Sequence, residues 1–195
     1  GPNPNREMAH SLQHRQATQF IGLSSTCTRK HRSDGPKADN ALTFKPDHPI
    51  GARQPMAALL TPTRLISDRL IVSAQTPKEK GKLIYCGKVG KKYDLEGAQL
   101  ATRLCMLNVL AHAKAALQGD LLRIKGVITV RGYINVTDDF SEIAEAMNGA
   151  SRLLLDVLGP LVGAHTRTAV GAASMPFGVA AEVEAEFWVD PLGLS

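Results

Sequence analysis

Residues Arg123-Ile-Lys-Gly-Val-Ile-Thr-Val-Arg-Gly-Tyr-Ile-Asn-Val136 alternate in polarity. Ile124, Ile128, Val130, Ile134 and Val136 fall on one side of an extended chain, and Arg123, Lys125, Thr129, Arg131 and Asn135 on the other,. A strand this long with one apolar side needs sheet neighbours and a layer to cover it. The flanking sequence supplies both. Upstream, Asp94 can cap a helix running to about Leu117, with Glu96 in its first turn,. Leu100, Leu104, Leu107 and Ala111 follow helical spacing, and Glu96, Gln99, Arg103 and Lys114 fall on the opposite side,. Ala98, Ala101 and Ala115 widen the apolar side with small residues that permit close packing. Downstream, a second helix is predicted from about Ser141 to Leu158, burying Ile143, Met147, Ala150, Leu154 and Val157 and stopped by Gly159-Pro160,. Arg69-Leu-Ile-Val-Ser73 reads as a strand, with Lys82-Leu-Ile-Tyr85 as its partner across a Lys/Gly-rich turn,. Thr166–Ser174 and Val179–Val189 are the last strands, joined by Met175-Pro-Phe-Gly178, a turn suited to a hairpin,. The order β-β-α-β-α-β-β predicts an α+β sheet with both helices on one face.

The chain has 195 residues, 44% of them hydrophobic, with no apolar run long enough to cross a membrane,. Residues 1–56 hold eight Lys/Arg against four Asp/Glu, and residues 57–195 hold fifteen against fourteen. The net charge of +5 thus belongs mostly to the first segment, and the body lacks the basic excess of a nucleic-acid grip,. Residues 1–56 also carry four of the six histidines and no sustained period. They read as an N-terminal extension: a leader, a tag remnant at Gly1-Pro2, or an Arg-bearing, acid-poor targeting segment from Met8. Its removal should leave the body, residues 57–195, folded. His10 and His14 have helical metal-ligand spacing but no further ligands, so no metal is expected,. Cys27, Cys86 and Cys105 are odd in number and lack a C-x-x-C spacing, which points to a reducing compartment. Cytoplasm is the expectation, with the mitochondrial matrix as the alternative.

Few residue patterns suggest chemistry. Gly87-Lys-Val-Gly90-Lys-Lys92 has the look of a phosphate loop but fails its spacing and lacks the Ser/Thr for magnesium,. With Lys78, Lys80 and Lys82 it reads as a solvated lysine-rich turn rather than an RNA surface. His165 has no G-x-S-x-G motif to accompany it, so a hydrolytic triad has little support, and His112 reads as structural,. Arg167 is different. It stands among Ala169, Gly171, Ala172 and Ala173, where a guanidinium among small side chains can bind a planar carboxylate through two parallel bonds,. The competing expectation is a cross-strand ion pair with Glu186, which a four-residue hairpin loop would place opposite it.

Arg167-Thr-Ala-Val-Gly-Ala-Ala-Ser-Met-Pro176 followed by Ala181-Glu-Val-Glu-Ala185 closely resembles the C-terminal signature of the RidA/YjgF family, the reactive-intermediate imine deaminases also catalogued as endoribonuclease L-PSP. Val72-Ser-Ala-Gln-Thr-Pro77 looks like the family's Ser-Gly-Gln-x-Pro strand end, and Ala101-Thr-Arg103 with Asn108 is similar to its helical Gln-Thr-Arg…Asn pattern. Lys125–Val136, Asp139-Phe140 and Asn148 fit its long strand and second helix, so the likeness spans about residues 59–189. It implies a chorismate-mutase-like fold assembled as a homotrimer with clefts between subunits. It implies a cofactor-independent hydrolase that converts enamines and imines of the 2-aminoacrylate type to 2-keto acids and ammonia. By resemblance, Arg167 binds the substrate carboxylate, Glu182 orients the attacking water, and Asn148 and Ser73 line the cleft. The substrate would be a small carboxylate-bearing imine, with no nucleic-acid or membrane partner expected. The family's alternative implications are an RNA-binding or endoribonuclease role, or a non-catalytic carboxylate-binding trimer. The chain departs from the pattern at Thr61 (or Leu60), Ala169 and Ala74, where many members carry tyrosine, cysteine and glycine.

Overall fold

The computed structural model describes residues 60–191. The extension assigned to residues 1–56, with Cys27, His10 and His14, lies outside the described residues. The described elements run β1 (Thr63–Ile66), β2 (Arg69–Gln75), β3 (Lys78–Glu79), β4 (Lys82–Leu83), α1 (Leu95–Ala116), β5 (Ile124–Asn135), α2 (Ile143–Ala146), α3 (Asn148–Val162), β6 (Thr166–Ala172) and β7 (Ala181–Val189). Five strands form one sheet in the order β1-β2-β7-β5-β6, with β5 and β6 parallel and the other neighbours antiparallel. α1 packs on β2 and β7, α3 lies against α1 and β5, and α2 lies against β6. The helices therefore share one face of an α+β fold, as the element order predicts. Leu70, Val72, Val130, Ile134, Val183 and Phe187 of the sheet meet Ala98, Met106, Val109, Leu153 and Leu154 of the helices in one core.

The long strand departs from strict alternation. Its register against β7 shifts twice, between Ile124 and Gly126 and between Val127 and Thr129. Each bulge adds one residue and turns the chain over, and two bulges restore the original parity. Val127 is consequently buried and Ile128 exposed, the reverse of the expectation, whereas Ile124, Val130 and Ile134 are sealed in the core.

The first helix starts as predicted, with Asp94 Oδ1 accepting from Gly97 N at 2.9 Å. Its buried face is rotated from the leucine stripe. Ala98, Ala101, Cys105, Met106 and Val109 are fully enclosed, while Leu100 is exposed and Leu104 and Leu107 are half-buried. The reason is the closeness of α3: a Cβ built on Gly149 would lie 1.9 Å from the Gln99 carbonyl oxygen. Only small residues fit such an approach, so the leucines move to the flanks. The second predicted helix is two pieces, α2 and α3. The left-handed Gly159, with φ 78° and ψ 167°, interrupts α3 before Pro160, and one further turn follows rather than a stop,.

Two strand pairings differ from the sequence reading. Lys82–Leu83 pairs with Lys78–Glu79 in a separate ribbon across Lys80-Gly81, and β2 instead pairs with β1 and β7. Both turn residues have positive φ, the geometry of a tight two-residue hairpin,. The last two strands form no hairpin, because β5 lies between β6 and β7. Val130 has Arg167 on one side and Ala185 on the other.

Candidate active site

Arg167 lies on β6, an edge strand, in register with the fully buried Val130. Residues in register share a face, so the guanidinium points toward the helix layer. There Nη1 donates to Asn148 Oδ1 at 2.9 Å and to Ser151 Oγ at 3.0 Å, and Nη2 donates to the Ala144 carbonyl at 2.9 Å. A guanidinium has five N–H groups. Three are thus committed, and Nε–H and one Nη2–H make no hydrogen bond to the described residues. No described carboxylate stands within ion-pair distance of it. Three neutral oxygens orient the cation without cancelling its charge, leaving a fixed, half-buried positive site at the sheet edge.

The expected pairing of Arg167 with Glu186 does not form. Glu186 is mostly buried on the other face and pairs with Arg69, the opposed strand being β2. That pair raises the Arg69 pKa, through the hydrogen bond first and the carboxylate charge second. A second ion pair, Arg131–Glu184 at 3.1 Å, uses the next carboxylate of the same row.

Asn148 opens α3 and meets Arg167 directly, as the resemblance implies. Ser73 is elsewhere: its hydroxyl donates to the Thr61 carbonyl at 3.0 Å, fastening the end of β2. Glu182 is in register with Tyr133 and alternates with the buried Val183, so its side chain occupies the sheet face opposite Arg167. Within one chain the sheet separates the two. Burial raises the Glu182 pKa above the ordinary glutamate value,. The native state then holds this proton more tightly than the unfolded chain, and stability falls as pH rises through the glutamate range. In the dissociated chain, Glu182→Gln should therefore melt higher than the parent at pH 7 and match it near pH 3, well below the ordinary value of about 4.3. Equal melting at pH 7 and a gap at pH 3 would reverse the sign and exclude this.

Sequence reasoning passed over one pair in this site. Ser151 Oγ lies 3.0 Å from His165 Nε2, and His165 Nδ1 lies 2.7 Å from the Gly163 carbonyl. A carbonyl only accepts, so Nδ1 carries the proton and, in the neutral ring, Nε2 accepts from the serine hydroxyl. The break at Gly159 turns the chain so that His165 faces back onto α3. Nothing in the sequence spacing signals that return.

Thr102 and Asn108 of the resemblance, together with Lys88 and Cys105, make structural contacts. The Thr102 hydroxyl lies 2.8 Å from the Ala146 carbonyl, tying α1 to the end of α2. Asn108 Nδ2 donates to the Thr76 and Lys78 carbonyls, holding the exit of β2. Lys88 Nζ donates to the Val136 and Ala173 carbonyls, both at 2.7 Å, across the ends of β5 and β6. Burial pushes the Cys105 thiol well above its usual pKa, with the Glu182 charge adding to it, so this cysteine behaves as a small apolar residue. Among the described residues there is no cluster of three or more His, Cys, Asp or Glu suited to a metal. No described helix is long and apolar enough to cross a membrane.

A mixed sheet with one helical face and an arginine anchored at its parallel edge defines a class. Residues 54–184 match the family described as "YjgF/chorismate mutase-like, putative endoribonuclease". The chain belongs to this RidA/YjgF family. It is 42% identical over 117 residues to Protein TCP17 of Trypanosoma cruzi, covering 60% of this chain and 72% of that one. The crystal structure of Atu1372 from Agrobacterium tumefaciens, a protein of unknown function, is 42% identical with a TM-score of 0.67, covering 69% of this chain and 85% of its own. The structure of a "putative endoribonuclease" from Shewanella oneidensis MR-1 is 31% identical with a TM-score of 0.69, covering 72% and 91%.

Proposed function

We propose that this protein hydrolyses reactive enamines and imines of the 2-aminoacrylate type to 2-keto acids and ammonia, without a cofactor. The observation that carries the reading is the uncompensated Arg167 guanidinium, with Nε–H and one Nη2–H open. These two donors suit a planar carboxylate. The substrate brings its own electrophile: an enamine tautomerises to an imine, water adds to the C=N carbon, and the C–N bond breaks to release ammonia. The protein need only clamp the acid and hold a water. Glu182 is the residue for the water, a half-buried carboxylate able to accept its proton,.

The two residues can share a site only where one copy's Glu182 meets another's Arg167. We therefore propose a homotrimer with clefts between subunits. The open sheet face supports it: Ile71, Val170 and Trp188 are 40%, 44% and 51% exposed there, an apolar surface that a neighbour would cover. Sedimentation at micromolar concentration should give a trimer, and a monomer would remove the shared cleft. An intracellular compartment, cytoplasm or mitochondrial matrix, fits the free thiols of Cys86 and Cys105,.

An RNA-directed role has less support. The Lys88 and Lys92 ammonium groups, central to the lysine-rich stretch, are occupied by backbone carbonyls. The direct test supplies freshly generated 2-aminoacrylate or 2-iminobutyrate and measures 2-keto acid above the uncatalysed rate. No acceleration, with carboxylate binding retained, would leave a non-catalytic carboxylate-binding trimer.

A further inference from the structure

We propose that Ser151 is an activated nucleophile, with His165 as its base, for acyl transfer from an ester that carries its own carboxylate. Three observations converge on one oxygen. His165 Nε2 is 3.0 Å from Ser151 Oγ, and Nδ1 is held by the Gly163 carbonyl at 2.7 Å, so the neutral ring is oriented to present its lone pair to the hydroxyl. A nucleophile within hydrogen-bond reach of a base that a third group orients is the arrangement of hydroxyl-based acyl transfer. Arg167 Nη1 donates to the same Oγ at 3.0 Å, which stabilises negative charge as it develops there. None of the three residues is fully enclosed: Ser151, His165 and Arg167 are all half-buried.

A purely structural serine on a helix commonly returns its proton to a carbonyl one turn back. Here the proton goes to an imidazole on a different element, and a guanidinium occupies the other side of the oxygen. The remaining Arg167 donors, Nε–H and one Nη2–H, select the substrate: an acyl compound with a carboxylate a short distance from its ester. Ser151 Oγ attacks the ester carbonyl, forming a C–O bond while its proton passes to His165 Nε2. The tetrahedral adduct collapses, breaking the bond to the leaving oxygen, which takes the proton from His165. Water then repeats the sequence on the acyl-serine, releasing the free acid and restoring the hydroxyl. The reaction needs one water and no other reactant. It uses the Arg167 anchor, but neither Glu182 nor an imine.

The probes are mono-4-nitrophenyl succinate and 4-nitrophenyl acetate, with the adduct located by peptide mass spectrometry. A burst of nitrophenolate with the acyl group on Ser151 is expected, faster for the succinate ester. Ser151→Ala should abolish the adduct, and His165→Gln should slow its formation about 10²-fold or more. Arg167→Lys should erase the preference for succinate over acetate. Ser151→Cys supplies a second measurement: its thiol should alkylate with iodoacetamide faster than in the Ser151→Cys, His165→Gln double variant. No adduct on the parent, an adduct that survives Ser151→Ala, or alkylation indifferent to His165 would each overturn the proposal. Imine hydrolysis measured on the same variants keeps the two activities apart. Loss of imine turnover in Glu182→Gln with an intact nitrophenolate burst would show that they are separate.

Discussion

Replacing Arg167 with lysine should lower imine hydrolysis by about ten- to over a hundredfold, the equivalent of losing one charge-assisted bond of about 1.5–3 kcal/mol. The side chain now meets Asn148, Ser151 and Ala144 with three of its five N–H groups,. An ammonium has three donors in all and no planar fork. It can keep the structural contacts or offer donors to a ligand, but it cannot do both. Glu186→Gln is the matched comparison, because Glu186 serves Arg69 on the far face. It should leave hydrolysis near the parental rate. Near-normal turnover in Arg167→Lys, measured as 2-keto acid released from 2-iminobutyrate, would sink the carboxylate clamp.

Gly149→Ala should cost the most stability of the glycine-to-alanine changes among the described residues. Its Cβ would sit 1.9 Å from the Gln99 carbonyl oxygen and 2.7 Å from Thr102 Oγ1. Overpacking costs about 1–3 kcal/mol where side chains can yield, and occasionally more. Here the obstacle is backbone, so α1 and α3 must separate and the value belongs at the top of that range or above. At about 2–4 °C per kcal/mol for a domain near this size, thermal melting should fall by roughly 6–12 °C or more. Gly119→Ala is the control. Its φ is +95°, but nothing lies within 4 Å of the added Cβ, so only the left-handed backbone penalty of about 1–2 kcal/mol applies. Equal losses in the two variants would show that the helix contact tolerates a methyl.

The helix cap at Asp94, the strands containing Leu70 and Val130, and the single helical face were legible because local chemistry fixes them. Charge, periodicity and capping need no knowledge of distant residues. What was not legible depends on partners far along the chain. The reversal of Val127 and Ile128 comes from bulges set by the pairing of β5 with β7. The exposed Leu100 follows from the approach of Gly149, whose close contacts fall on Gln99 and Thr102. Met175-Pro-Phe-Gly178 has turn chemistry, yet a turn does not require its flanking strands to pair, and β5 intervenes. The residues of the site divided the same way. Arg167 with Asn148 followed from the family pattern, while Ser151 with His165 depends on how the backbone leaves Gly159.

The arginine anchor is economical in chain entropy. Its bonds to Asn148, Ser151 and Ala144 span sequence separations of 19, 16 and 23 residues, and the Ser151–His165 contact spans 14. Doubling a closed loop costs only about 0.6 kcal/mol, so none of these closures is expensive relative to the others, and all lie within residues 144–167. The anchor is thus the property of one contiguous segment, folded back on itself at Gly159 and seated on the edge strand. The β1–β2 hairpin and the lysine-rich ribbon supply none of its contacts. Sequence change there can retune what surrounds a bound acid without re-forming the group that holds it.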